Sequence, residues 1–178
     1  MNYVDNGKGL LLPEKQELIV AGRYDATLVR KGEVIDELSF DTLVANQGLN
    51  ALLDIMFHGS TQITTWYIGL FEGNYTPVSG VTASSIVAAA TECTAYDQST
   101  RVAFDEAAAS GQSITNSASR ATFTFNASKT IYGAFLTSLA TKSGTTGTLF
   151  SAAKFGSSKA VESGDELLLT YTFTAASA

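Results

Sequence analysis

Residues 165–175 read D-E-L-L-L-T-Y-T-F-T-A, with Leu167, Leu169, Tyr171 and Phe173 at every second position. Side chains alternate across a strand, so this period sends the four apolar groups to one face and the threonines to the other. A chain carrying such a run must supply further strands beside it and an apolar layer to meet it. Candidates are plentiful: T-R-V-A-F-D-E, A-S-R-A-T-F-T-F-N-A, T-I-Y-G-A-F-L-T-S and T-L-F-S-A-A-K-F. Gly-Ser-Thr loops separate them at the spacing of an antiparallel sandwich or barrel. Earlier, R-Y-D-A-T-L-V-R and V-I-D-E-L-S-F flank K-G-E and predict a β-hairpin.

One segment breaks the period. In V-A-N-Q-G-L-N-A-L-L-D-I-M-F-H-G, residues Leu49, Leu52, Leu53, Met56 and Phe57 fall at helical spacing. They predict an amphipathic helix over 46–58, capped by Asn46, stopped by Gly59, and covering the core with its leucine stripe. The following T-T-W-Y-I-G-L-F is apolar on both faces, with Trp66, Ile68 and Leu70 on one and Tyr67 and Phe71 on the other. Polar groups beside its aromatics would suggest a ligand platform, but their absence predicts a buried strand. S-S-I-V-A-A-A-T-E-C reads as a short helix between loops. The expected fold is mainly β: an antiparallel sandwich or jelly-roll-like domain over residues 22–178 with one amphipathic helix.

Residues 1–21 lack any sustained period and are punctuated by Asn-Gly, Gly and Pro. They predict an extended N-terminal arm, with Tyr3, Leu10, Leu11 and Leu12 as partner-binding anchors. A frayed terminus, or a strand exchanged with a sister subunit, is the alternative. The opening lacks the basic and apolar segments of a signal peptide, so synthesis in a cytoplasm is expected. No apolar run reaches a bilayer span, and no membrane partner is expected.

Net charge is −6 with a pI near 4.7, which disfavours nucleic acid as a partner. Charged residues are 16% of the chain, against the roughly 25% of soluble domains. That shortage predicts surfaces covered by neighbours, in a dimer or trimer.

The inventory for chemistry is thin. The single histidine, His58, ends the predicted helix, where it suits the last carbonyls and the dipole. The single cysteine, Cys93, reads as a small buried residue. Neither G-x-S-x-G nor a phosphate-binding loop occurs, and no metal-binding spacing is present. The adjacent carboxylates Asp36/Glu37, Asp105/Glu106 and Asp165/Glu166 point to opposite faces of a strand, and solvated charges at strand ends are expected. No catalytic residue, cofactor or metal is expected, and the chain does not read as an enzyme.

The ordered set L-V-A-N-Q-G-L-N-A-L-L-D, T-Q-I-T-T-W-Y-I-G-L-F, T-A-Y-D-Q-S-T-R, G-Q-S-I-T-N-S-A-S, I-Y-G-A-F-L-T-S, G-T-T-G-T-L-F-S-A-A-K-F and G-D-E-L-L-L-T-Y-T-F-T resembles a family of tailed-bacteriophage virion proteins. The resemblance runs over residues 22–178. It implies a non-enzymatic structural protein of the virion, assembled in the bacterial host cytoplasm. Within that family the preferred role is a capsid cement or decoration subunit that clamps the coat lattice, with the major capsid protein or other virion subunits as partners. A neck, collar or tail component is the alternative. A different class, the carbohydrate-binding sandwich, would need solvent-facing aromatics, and Tyr75, Tyr96 and Tyr132 are the nominees.

Overall fold

The computed structural model describes residues 3–5, 7, 11–13 and 17–177. At the N-terminus β1 (Tyr3–Asp5) and β2 (Leu11–Pro13) pair antiparallel with each other. The body contains β3 (Leu18–Arg30), β4 (Glu33–Val44), α1 (Asn46–Phe57), β5 (Trp66–Phe71), α2 (Ala83–Ala90), β6 (Glu92–Cys93) and β7 (Val102–Phe104). It continues with β8 (Ser113–Thr115), β9 (Ala121–Thr124), β10 (Lys129–Thr137), β11 (Leu149–Val161) and β12 (Glu166–Ser177). The expected β-rich antiparallel architecture is present, with the amphipathic helix as α1 and the short helix read in S-S-I-V-A-A-A-T-E-C as α2.

The strands of the body form one ten-stranded sheet ordered β6-β5-β10-β11-β4-β3-β12-β8, with β7 beside β5 and β9 beside β12. Its two halves are joined where β4 meets β11, at Ser151↔Val44 and Ala152↔Leu43. The sheet curls there into a half-barrel, and its far edges approach at the bridge Tyr96↔Phe125. The longest ladder is β3 on β12, running from Leu18↔Ser177 to Val29↔Glu166. The sheet therefore begins at Leu18, before the boundary read at residue 22. The β3–β4 hairpin turns through Lys31 and Gly32, both at positive φ, as a two-residue turn between twisted strands requires.

The concave side is filled by Tyr24, Leu28, Ile68, Leu70, Phe123, Ile131, Leu167, Leu169 and Tyr171. The alternation of β12 thus ends where expected, with Leu167, Leu169 and Tyr171 fully buried. Asn116 mends the break between β8 and β9. Its Oδ1 accepts from the Tyr171 amide at 2.7 Å and its Nδ2 donates to the Leu169 carbonyl at 3.2 Å, standing in for a missing ladder partner.

A second core lies on the convex side, where α2 lays Ala83, Ile86 and Ala90 against Phe71, Phe135, Leu149 and Ala152. W-Y-I-G-L-F and L-F-S-A-A are apolar on both faces because both faces there are covered. Gly69 is needed within β5 because the Phe135 ring occupies the space of a Cβ, 2.3 Å from where one would lie. Cys93 is fully buried, and desolvation pushes its thiol up from its ordinary pKa.

Candidate functional site

The helix α1 departs from expectation in the direction it faces. Its N-cap is Ala45, not Asn46, and Gly48 is its only buried residue. A Cβ on Gly48 would lie 2.5 Å from the Phe150 carbonyl oxygen and 2.7 Å from the Phe150 Cα. The helix backbone therefore rests directly on the backbone of β11. That seat decides the rotation of the helix, and the leucine stripe does not.

Gln47 locks the same turn. Its Oε1 accepts from the Ala83 and Leu149 amides, each at 2.9 Å, and its Nε2 donates to the Gly147 carbonyl at 3.2 Å. Ala45 donates to the Phe150 carbonyl at 2.9 Å and Asn46 to the Ser79 carbonyl at 2.9 Å. One side chain thus ties the starts of α1, α2 and β11. Sequence reasoning missed it, since a glutamine in a helical first turn carries no pattern of its own.

Held by its N-terminal turn, α1 overhangs the sheet with its C-terminal half. Phe57 is 81% exposed, Met56 66% and Leu53 52%. The helix ends as read, with Gly59 at φ 74° and the Asp54 carbonyl accepting from His58 and Ser60. The expectation that Leu53 covers the core is overturned, because the Gly48 contact turns it outward.

Beneath the overhang is an apolar cleft of about 320 Å³. The inner flank of α1 supplies Leu52, Ile55 and Met56, the opposite wall Trp66, Phe104, Ile114 and Phe173, and Tyr171 and Leu136 reach it from the core. Trp66 meets Phe150 edge-on at 5.5 Å, and Phe150 meets Phe173 edge-on at 5.0 Å, so the walls are edge-to-face aromatics. Gln62, Thr64 and Glu106 are its polar lining groups. Such a surface can exclude water and grip an apolar group, with two or three polar groups to orient it.

Ion pairs stand elsewhere. Arg101 and Glu92 are both buried, joined by two bonds of 2.7 Å. Arg101 also donates to the Leu139 carbonyl at 2.9 Å and the Gly144 carbonyl at 3.0 Å, while Glu92 accepts from the Ser143 amide at 2.8 Å. This clamp holds the loop between β10 and β11. Lys142, in that loop, sits 3.6 Å above the centre of the Tyr96 ring, and desolvation lowers its pKa.

Asp165 corrects a second expectation. It is not a solvated strand-end charge but a buried carboxylate paired with Arg30 at 2.9 and 2.7 Å. The Arg30 hydrogen bond holds it below the usual carboxylate range, with the Glu162 amide assisting against desolvation. Asp105 and Glu106 are exposed as read.

The other nominated residues are dispersed. Tyr3 pairs with Pro13, Leu11 with Asp5 and Leu12 with Val4 along the N-terminal hairpin, and Leu10 lies outside the described residues. Tyr96 is buried in the concave core, whereas Tyr75 and Tyr132 are half-buried against the α2 cluster. The three tyrosines do not share a surface. Among the described residues, no group of three or more His, Cys, Asp or Glu side chains could hold a metal. No helix there is long and apolar enough to cross a membrane. No protein-family model matches the chain, and no curated protein matches it.

Proposed function

We propose that this chain is a non-enzymatic structural subunit of a tailed-phage virion, acting as a cement or decoration subunit on the capsid. The observation that carries the reading is the overhanging half of α1. An exposed Phe57, Met56 and Leu53 beside an open apolar cleft form a surface whose exposure is costly for a free monomer. Burial against a protein neighbour removes that cost, as expected of a subunit made to be assembled. The ordered resemblance over residues 22–178 supports the virion as the assembly. Contacts to the major capsid protein are assigned to the N-terminal segment around Tyr3, Leu10, Leu11 and Leu12.

Co-sedimentation tests the reading. Purified chain should sediment with particles that lack it, at saturable occupancy. Removal of residues 2–16 should abolish retention while leaving the melting temperature within a few degrees. Residues 18–20 must be kept, since Leu18, Ile19 and Val20 pair with β12. Full-length chain that stays at the top of the gradient with every particle preparation would sink the proposal.

A further inference from the structure

We infer that α1 and the cleft beneath it form a self-complementary interface, in which Phe57 of one copy enters the apolar cleft of a second copy and receives that copy's Phe57 in return. The inference rests on the structural-subunit reading and names the partner of that same surface.

The cleft cannot be filled from within. Phe57 comes nine residues after Gly48, and at 3.6 residues per turn it lies on the opposite side of the helix. Bringing its ring inward would need half a rotation of α1. The Gly48 seat on Phe150 and the three Gln47 bonds oppose that rotation. The exposed ring therefore stays turned away from the seat, while the cleft under the inner flank of α1 stays open.

Their sizes match. An apolar cavity of roughly 150 Å³ admits a benzene ring. A cleft of about 320 Å³ accepts a phenylalanine ring together with a neighbouring aliphatic side chain, and Leu53 is one helical turn from Phe57. A projection and a recess built on the same helix let two copies serve each other in a closed two-fold pair.

The area suffices for a weak specific dimer. Burying Leu53, Met56 and Phe57 of both copies with the cleft walls removes roughly 1,000 Å² from water, the lower limit for a specific interface. A weak affinity, roughly micromolar, is expected of so small an interface. The rim is also complementary, because His58 follows Phe57 and would reach the edge where Glu106 stands, offering a ring N–H to its carboxylate. The net charge of −6 per chain opposes association at low salt and is screened beyond about 8 Å at physiological ionic strength. Added salt should strengthen the dimer.

Sedimentation equilibrium from low micromolar to high micromolar concentration tests this. Wild-type chain should dimerise, Phe57→Ser should weaken dimerisation by tenfold or more without changing melting, and raising salt from 20 to about 200 mM should tighten the wild type. The pair His58→Cys with Glu106→Cys should give a covalent dimer under mild oxidation, since Cys93 is buried. A wild type that remains monomeric throughout, or a Phe57→Ser dimer as tight as wild type, overturns the inference. Neither result touches co-sedimentation, so the structural-subunit proposal stands or falls separately. A monomeric wild type whose particle binding is lost in Phe57→Ser would assign the face to the coat instead and would overturn the self-pairing.

Discussion

Glu92→Gln removes one charge from the Arg101 clamp while keeping its shape. Both side chains are 1% exposed, so the guanidinium left behind has no route to water. Breaking a buried pair from one side costs roughly 3–5 kcal/mol, because the remaining charge is uncompensated. For a domain of this size that lowers the melting temperature by roughly 6–20 °C. Arg101→Met strands Glu92 instead and should cost a comparable amount. The double variant Glu92→Gln with Arg101→Met buries no charge, so it should be more stable than additivity predicts by roughly 1–3 kcal/mol. Urea denaturation of the four proteins in a cycle supplies these values. The clamp holds the loop whose far end presents Gly147 to Gln47, so amide exchange in residues 138–148 and in the first turn of α1 should accelerate together. A loss below about 1 kcal/mol for Glu92→Gln, or strictly additive losses, would refute the reasoning.

Three further outcomes follow from the same geometry. Leu53→Ala should change stability by less than about 0.5 kcal/mol in denaturant unfolding, where a core position would lose roughly 2–5 kcal/mol. Gly48→Ala gains about 1 kcal/mol in helix propensity but drives a Cβ into the Phe150 backbone, so a net loss of ~1–3 kcal/mol and a shifted α1 are expected; unchanged stability would mean the helix is not seated there. The folded-state pKa of Asp165 is depressed, so its pairing with Arg30 stabilises above the unfolded value of about 3.9 and is lost as pH falls through the folded value. Asp165→Asn should therefore melt below wild type at pH 7 and converge with it near pH 2; a constant gap across that range would contradict the linkage.

The parts of the fold readable from sequence are those where one residue pattern carries one physical requirement. The period of two in β12 demands a single apolar layer, and the double-faced runs of β5 and β11 demand cover on both sides, which α2 and the concave core provide. The existence of α1 was equally legible from its periodicity. Its orientation was not, because a helical stripe reports which residues share a face but not what that face meets. A glycine with no side chain made the closest contact, and hydrophobicity patterns give glycine no weight. Asp165 was misread for a related reason: its partner Arg30 is 135 positions away, and sequence adjacency to Glu166 says nothing of that ion pair. The cleft is assembled from α1 and from strands distant in sequence, so no local motif could announce it.

The most direct measurement is a cryo-electron microscopy reconstruction of phage particles to which this chain has been bound. It should place α1 residues 49–57 at a boundary between subunits, with the Phe57 ring inside an apolar cleft and the N-terminal segment against the coat. A reconstruction in which the half-barrel is held through another face while Phe57 and the cleft point to solvent would contradict the proposal.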